Sequence, residues 1–144
     1  MTNTFTTTPG PAQRLGAHTV DLFLDAISAG TGVPAELLST SAALDATVPG
    51  WRFAVRGAEA VARQYSEWFN WPGVFEELER FEVDGGEVVC YLLSWTERGV
   101  PHAAHHCHVL RFGPDGRIAT DRFFCGGRWD AGLLAEMAAA SDAG

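Results

Sequence analysis

The stretch "HAAHHCHVLRF", residues 102–112, holds four of the chain's five histidines: His102, His105, His106 and His108. An imidazole gives and takes protons near neutral pH, and it also binds metals. On a strand, side chains alternate between faces. His102, His106 and His108 then share one face, while His105 and Cys107 take the other. The pair His106-x-His108 could reach one ion, with Asp121 as a third ligand. No His/Glu cluster elsewhere in the sequence offers a fourth. The acid/base reading is therefore preferred, with neither a metal nor a cofactor expected. A carboxylate beside an imidazole fixes its tautomer and stabilises its cation, and Asp121 is the acid best placed to do so. No G-x-G-x-x-G or P-loop is present, and "CGGRW" has neither spacing.

These residues need a scaffold to hold them. The runs Phe75–Val83, Glu87–Arg98, Val100–Phe112 and Arg117–Phe124 are extended and joined by "DGG", "ERG" and "GPDG", which is hairpin chemistry. They form a four-strand antiparallel meander. A four-residue loop pairing Phe112 with Arg117 sets His108 opposite Asp121, His106 opposite Phe123 and Ala104 opposite Cys125. A turn at Arg98–Gly99 sets Tyr91 opposite His106, Leu93 opposite Ala104 and Trp95 opposite His102. One face then carries Val89, Tyr91, Leu93, Trp95, His102, His106, His108, Leu110, Asp121, Phe123 and Cys125. The other carries Cys90, Leu92, Ser94, His105, Cys107, Val109, Thr120 and Phe124. A one-residue slip would exchange the faces.

Ahead of the meander, apolar spacing predicts a helix over Leu15–Ala29 that buries Leu15, Thr19, Leu22, Phe23, Ala26 and Ile27. His18, Asp21 and Asp25 fall on its solvated side. Pro34 opens a short second helix through Leu38. Residues 42–48 form a strand ended by Pro49–Gly50, and a second short strand runs over 51–55. A third helix covers 57–69, and a last one covers 129–140 with Asp130 as its cap. Residues 1–12 read as a disordered tail, 13–140 as one domain and 141–144 as a second tail. Helices followed by a meander make an α+β fold.

The chain has 144 residues, 47% of them hydrophobic, enough for one core. Its net charge of -8 excludes the basic stripe of a nucleic-acid binder. It suits a protein that handles a small neutral ligand. No apolar run has transmembrane length, so no membrane partner is expected. Three cysteines without C-x-x-C spacing argue against a disulfide framework and for a reducing, cytoplasmic setting.

The stretches "ERGVPHAAHHCHVLRFGPDGRIATDRFFCGG" and "LDATVPGWRFAVRGAEAVARQY" resemble the nuclear-transport-factor-2-like, or SnoaL-like, superfamily over most of residues 14–137. The resemblance implies a cone: a curved antiparallel or mixed sheet, three N-terminal helices enclosing an apolar cavity, and a C-terminal helix. Relatives include ketosteroid isomerases, polyketide cyclases, scytalone dehydratase, epoxide hydrolases and non-catalytic proteins. The isomerases' catalytic Asp on the last strands falls at His108. Their helix-one Tyr falls near Phe23 and their general-base Asp near Val48, so that apparatus is not carried over. SnoaL-type cyclases use an Asp on the last strand with a His on the strand before it, as Asp121 and His108 would do. Scytalone dehydratase's histidine pair and tyrosines are loosely echoed by His106, His108 and Tyr91.

The expected function is cofactor-free acid/base chemistry on a small polycyclic or polyketide-like metabolite: cyclisation, isomerisation or dehydration. Asp121 and His108 are the expected base and acid, with His106 and Tyr91 orienting the substrate oxygen. Phe23, Val48, Trp51, Trp68, Val89, Leu93, Trp95, His102, Leu110, Phe123 and Cys125 are the expected pocket wall. Epoxide opening and a non-catalytic binding or dimerising role are the alternatives. The resemblance also implies a homodimer through the outer sheet face, which Leu92, Val109 and Phe124 suit.

Overall fold

The computed structural model describes residues 9–143, so the expected tail over residues 1–8 lies outside the described residues. Helix α1 spans Pro11–Ala29. Proline at its first position gives up a backbone N–H that would have no helical partner anyway. Gly30 ends the helix at φ 70, returning its N–H to Ala26 and Ile27, a left-handed cap that glycine adopts without strain. The helix thus begins four residues before the expected start. Its buried face is Gly16, Thr19, Val20, Phe23, Leu24 and Ile27. Leu15 and Leu22, expected inside, are 51% and 42% exposed. The reason lies at Gly16, where a Cβ would sit 2.2 Å from the Phe112 ring. Lacking that atom, the helix turns its glycine to the sheet and swings Leu15 out.

The expected second helix is one 3-10 turn, Ala35–Leu37, which runs straight into β1, Leu38–Val48. Pro49–Gly50 turns the chain into β2, Trp51–Arg56. Helix α2, Ala58–Trp68, follows. The meander is β3 (Gly73–Val83), β4 (Gly86–Glu97), β5 (Val100–Phe112) and β6 (Ile118–Asp130). Helix α3, Ala131–Ala143, closes the described chain. The Asp130 carboxylate accepts from the Leu133 N–H at 3.0 Å, the expected cap. The six strands order as β2-β1-β6-β5-β4-β3, antiparallel except for the β1–β6 pair. The result is the expected α+β cone: a curled, unclosed mixed sheet with α1 and α2 on its concave side. No described helix is long and apolar enough to cross a membrane.

Two features of β6 differ from expectation. It runs six residues past Phe124, because the start of β5 needs a partner: His102 pairs with Asp130 and Ala103 with Trp129. Within that extension Gly126 and Gly127 lie opposite the single residue His105, a bulge that bends the strand. The β5–β6 register is also two residues from the expected one. His108 faces Phe123, His106 faces Cys125 and Leu110 faces Asp121; beyond the bulge Ala104 faces Arg128, three residues from its expected partner. The loop holds Arg117, whose carbonyl accepts from the Gly113 N–H, so Phe112 pairs with Ile118, one residue from expectation; the second residue comes from an irregularity at Ala119, since Arg111 pairs with Thr120. An even slip keeps every face assignment. The β4–β5 register matches the expectation, with Tyr91 facing His106 and Trp95 facing His102.

At the cone's closed end, Arg80 ties helix to sheet. It donates to Glu87 from Nε (2.5 Å) and Nη2 (3.1 Å), from Nη2 also to the Ala17 carbonyl (3.0 Å), and from Nη1 to Asp21. Asp21, expected to be simply solvated, therefore anchors α1. Glu87 is only 4% exposed and uses Arg80 as its counter-charge.

Candidate active site

Four elements meet on the concave face. Strand β5 presents His106 and His108, two residues apart. Strand β4 brings Tyr91 beside them, β6 brings Asp121, and α2 lowers Tyr65 from above. The side chains join in one hydrogen-bonded line. Tyr65 donates its hydroxyl to Asp121 Oδ2 at 2.6 Å. His108 Nδ1 lies 2.8 Å from the same oxygen, and its Nε2 lies 2.8 Å from the Tyr91 hydroxyl. That hydroxyl is 3.1 Å from His106 Nδ1. His108, Tyr65 and Tyr91 are fully buried, and Asp121 is 2% exposed.

His106 is the member that reaches the cavity. A space of about 500 Å³ opens beside it. Trp68, Phe69, Leu93, Trp95 and Phe123 form its apolar walls. His106 is 8% exposed, and its Nε2 makes no hydrogen bond among the described residues. Asp121 Oδ1, by contrast, is sealed from solvent with no partner among the described residues. Burial, and then the neighbouring His108 and His105, push the His106 imidazole down to about 3. At neutral pH it is an uncharged ring with a lone pair. Burial first, and then the charge of Asp121, push both Tyr65 and Tyr91 well above the ordinary phenol value, so both hydroxyls keep their protons.

Two proton arrangements satisfy every bond in the line. In the first, Asp121 is a carboxylate and His108 Nδ1–H donates to it. Tyr91 O–H donates to His108 Nε2, and His106 Nδ1–H donates to the Tyr91 oxygen, leaving a lone pair on His106 Nε2. In the second, the His106 Nδ1 proton has moved to Tyr91 and the Tyr91 proton to His108 Nε2, the His108 Nδ1–H stays in place, and one proton has entered from the cavity. His106 now carries hydrogen on Nε2, and His108 is an imidazolium against Asp121. The two states differ by one proton, which enters or leaves at the cavity.

The expected pocket wall divides. Val48, Trp68, Leu93, Trp95, Phe123 and Cys125 line the cavity. Phe23, Val89 and Leu110 are fully buried behind it; the Phe23 ring packs edge-on to His108 at 5.2 Å. Trp51 stands at the surface, 70% exposed, because it follows the Pro49–Gly50 turn and its strand lies at the sheet edge. His102 lies outside the lining: it stacks on Trp95 at 5.7 Å, and its Nδ1 is 2.9 Å from the Val100 carbonyl. Burial raises the Cys125 thiol, making it a weak nucleophile. No group of three His, Cys, Asp or Glu side chains among the described residues is arranged to hold a metal.

Two differences from expectation matter for chemistry. His108 and Asp121 touch each other but not the cavity, because Phe23, Tyr65 and Phe123 cover them. Tyr65 is a member of the site that sequence reasoning missed. Its signal was a hydroxyl on the apolar face of α2, in step with Val61 and Phe69, in a chain with two tyrosines.

No protein-family model matches this chain, and no curated protein matches it in sequence. Solved structures do match in shape. One is a "Putative Isomerase from Bacillus subtilis", 15% identical, with a TM-score of 0.65 over 80% of this chain and 88% of that one. Another, from Rhodopseudomonas palustris and described in the same words, is 15% identical, with a TM-score of 0.56 over 76% and 90%. An NTF2-like protein from Anabaena variabilis is 12% identical, with a TM-score of 0.69 over 85% and 96%. With its curled six-strand sheet and helices on the concave side, this chain has the nuclear-transport-factor-2-like fold.

Proposed function

We propose that the protein is a cofactor-free acid/base enzyme that moves a proton on a small, largely apolar metabolite, with His106 as the group that touches the substrate. The observation that carries this reading is the hydrogen-bonded line from His106 through Tyr91 and His108 to Asp121. Its one accessible end lies in an apolar cavity. His106 Nε2 takes a proton from a carbon beside a carbonyl. The Nδ1 proton of His106 passes to Tyr91, and the Tyr91 proton passes to His108. The positive charge comes to rest against Asp121. Running the line backwards returns a proton to a different substrate atom, which is isomerisation, or to a departing hydroxyl, which is dehydration. Cyclisation uses the same carbanion as a nucleophile within the substrate. Positioned proton transfer of this kind contributes about 10²–10⁴ in rate.

The names of two structural neighbours as isomerases agree with this reading. A flat polycyclic or polyketide-like body suits walls of tryptophan and phenylalanine. Epoxide opening is less well supported, since Asp121 is sealed away from the cavity. The test uses 2-tetralone, a flat ketone with acidic α-hydrogens. Proton NMR in D₂O follows the loss of those hydrogens. The wild type should accelerate exchange above buffer, and His106→Gln should abolish the acceleration. Equal exchange by the two proteins would end the proposal.

A further inference from the structure

The walls of the cavity are apolar, but its mouth is not. The exposed polar members of the lining are Glu67, Asn70, Arg98 and Arg128, while His106 lies among the buried ones. Two local departures of the backbone bring the arginines there. The first is the bulge in β6, where Gly127 stands at φ 125, a conformation that a side chain would strain. The extra residue changes the alternation, so that Arg128 instead of Gly127 stands opposite Ala104 on the concave face. Its guanidinium carbon lies 5.5 Å from the centre of the Trp95 ring. One Glu97 oxygen accepts from Arg128 Nη2 and, at 2.8 Å, from Trp95 Nε1. Guanidinium and indole are thus held together at the opening, with most of the arginine's N–H donors uncommitted among the described residues. The second departure is the β4–β5 turn, which Arg98 and Gly99 form with φ 48 and 81. Such a two-residue turn favours Asn, Asp or Gly at its first position. Arg98 is the one non-glycine residue with positive φ among the described residues. Asparagine would suit this backbone better. The arginine instead places a guanidinium in the cavity lining, where it has no ion-pair partner among the described residues.

Beside the hairpin turn, two arginines less Glu97 leave one positive charge. Glu67 reaches the mouth from α2 and pairs with neither arginine. We propose that the substrate carries a single carboxylate at the end remote from its reacting carbon, and that Arg98 and Arg128 hold it. A guanidinium fork matches the two oxygens of a carboxylate. Glu67, of like sign, directs that group to the hairpin side of the opening. Strand geometry sets the span. Ala104, opposite Arg128, lies two residues from His106, about 7 Å along β5. The arginine extends further outward over Trp95, which stands opposite His102. A flat bicyclic body fits between the arginines and the His106 ring. This inference names the substrate class of the site proposed above and rests on that reading, but its test reads binding and not turnover.

Isothermal titration calorimetry at low ionic strength compares three flat probes: 2-naphthoate, the neutral 2-naphthamide and the (2-naphthylmethyl)ammonium cation. The wild type should bind 2-naphthoate about 5- to 20-fold more tightly than 2-naphthamide, the range for two partly exposed ionic contacts, and should bind the cation least. Arg98→Asn and Arg128→Gln should each shrink that preference, and the double variant should bring it below about twofold. Asparagine suits the turn, so Arg98→Asn removes the charge without disturbing the backbone. Equal binding of 2-naphthoate and 2-naphthamide by the wild type, tighter binding of the cation, or a preference that survives in the double variant would each overturn the proposal. The two readings also fail separately. A carboxylate preference in a protein that does not exchange 2-tetralone would sink the acid/base reading and leave the carboxylate site standing. Exchange without the preference would do the reverse.

Discussion

Tyr91→Phe removes one oxygen atom from the middle of the line and leaves the ring in place. That oxygen is 2.8 Å from His108 Nε2 and 3.1 Å from His106 Nδ1, on a side chain that is itself fully buried. Two ring nitrogens lose their partner together. A buried polar group left unpaired costs about 1–3 kcal/mol, so the variant should be less stable by roughly 2–4 kcal/mol, allowing for partial relief by tautomer change. Urea unfolding measures this. The kinetic consequence is separate and larger. Without the hydroxyl, a proton taken up by His106 stays on a ring whose pKa burial has pushed down to about 3. The positive charge can no longer rest beside Asp121. Exchange of 2-tetralone should fall by about 10²–10³, within the range for losing positioned proton transfer. The decisive readout is non-additivity. Asp121→Asn should cost a similar factor alone and little more when combined with Tyr91→Phe, because both cut the same line. Exchange by Tyr91→Phe within about threefold of wild type would refute the relay, as would losses that multiply in the double variant.

Four further outcomes follow from the same geometry. Tyr65→Phe should destabilise by about 1–3 kcal/mol, since it leaves Asp121 Oδ2 with one donor beside an Oδ1 that already has none. His106 should make stability fall with acidity. Its proton affinity is lower in the folded chain, so from pH 6.5 down towards 3 the unfolded chain binds a proton that the native site refuses. The loss is about 1.4 kcal/mol per pH unit in that window, and His106→Phe should flatten the urea-unfolding profile there. Arg80→Met should cost about 3–5 kcal/mol by leaving Glu87 buried without a counter-charge; Arg80→Met/Glu87→Met should recover most of it in a thermal melt. Gly86→Ala should lower the melting temperature sharply, since a Cβ there would lie 1.9 Å from the Leu110 carbonyl oxygen.

Most of the sheet was legible in the sequence because alternation is a local property. Each residue of "HAAHHCHVLRF" could be assigned a face from its neighbours, and the faces survived a register error because the slip was even. The register itself depended on two local features: Arg117 belongs to the loop, its carbonyl bonded to the Gly113 N–H, and the strand skips Ala119 between the partners of Phe112 and Arg111. The α1 face was turned wrongly at Leu15 and Leu22. Helical periodicity allows either rotation, and the contact between Gly16 and Phe112 that selects one spans 96 residues. Depth was the least legible property of the site. Alternation puts His106, His108 and Asp121 on one face, but two of the three side chains that cover His108 and Asp121, Phe23 and Tyr65, come from α1 and α2. For the same reason Tyr65 was missed: nothing near it in the chain signals that its hydroxyl will land on Asp121.

The depth difference reverses the roles that an Asp/His pair suggests. Set directly against substrate, the carboxylate-backed His108 would be the group to exchange the proton. Here that ring lies one tyrosine behind the cavity, and the ring in front, His106, has a weak hold on protons. A weak base at the front is consistent with proton transfer only if the proton's charge need not stay there. The line supplies that condition. His106 delivers accessibility, Tyr91 delivers continuity, and His108 with Asp121 delivers the place where an imidazolium is held by an opposite charge at 2.8 Å. Dividing the work in this way keeps the ionic pair dry while the ring that meets the substrate stays neutral. An apolar substrate can then reach His106 without displacing the hydration shell of a charge on that ring. It follows that substitutions at His108 and Asp121 should change turnover while leaving the binding of a neutral flat ligand nearly intact. Substitutions at Trp68 or Phe123 should do the reverse.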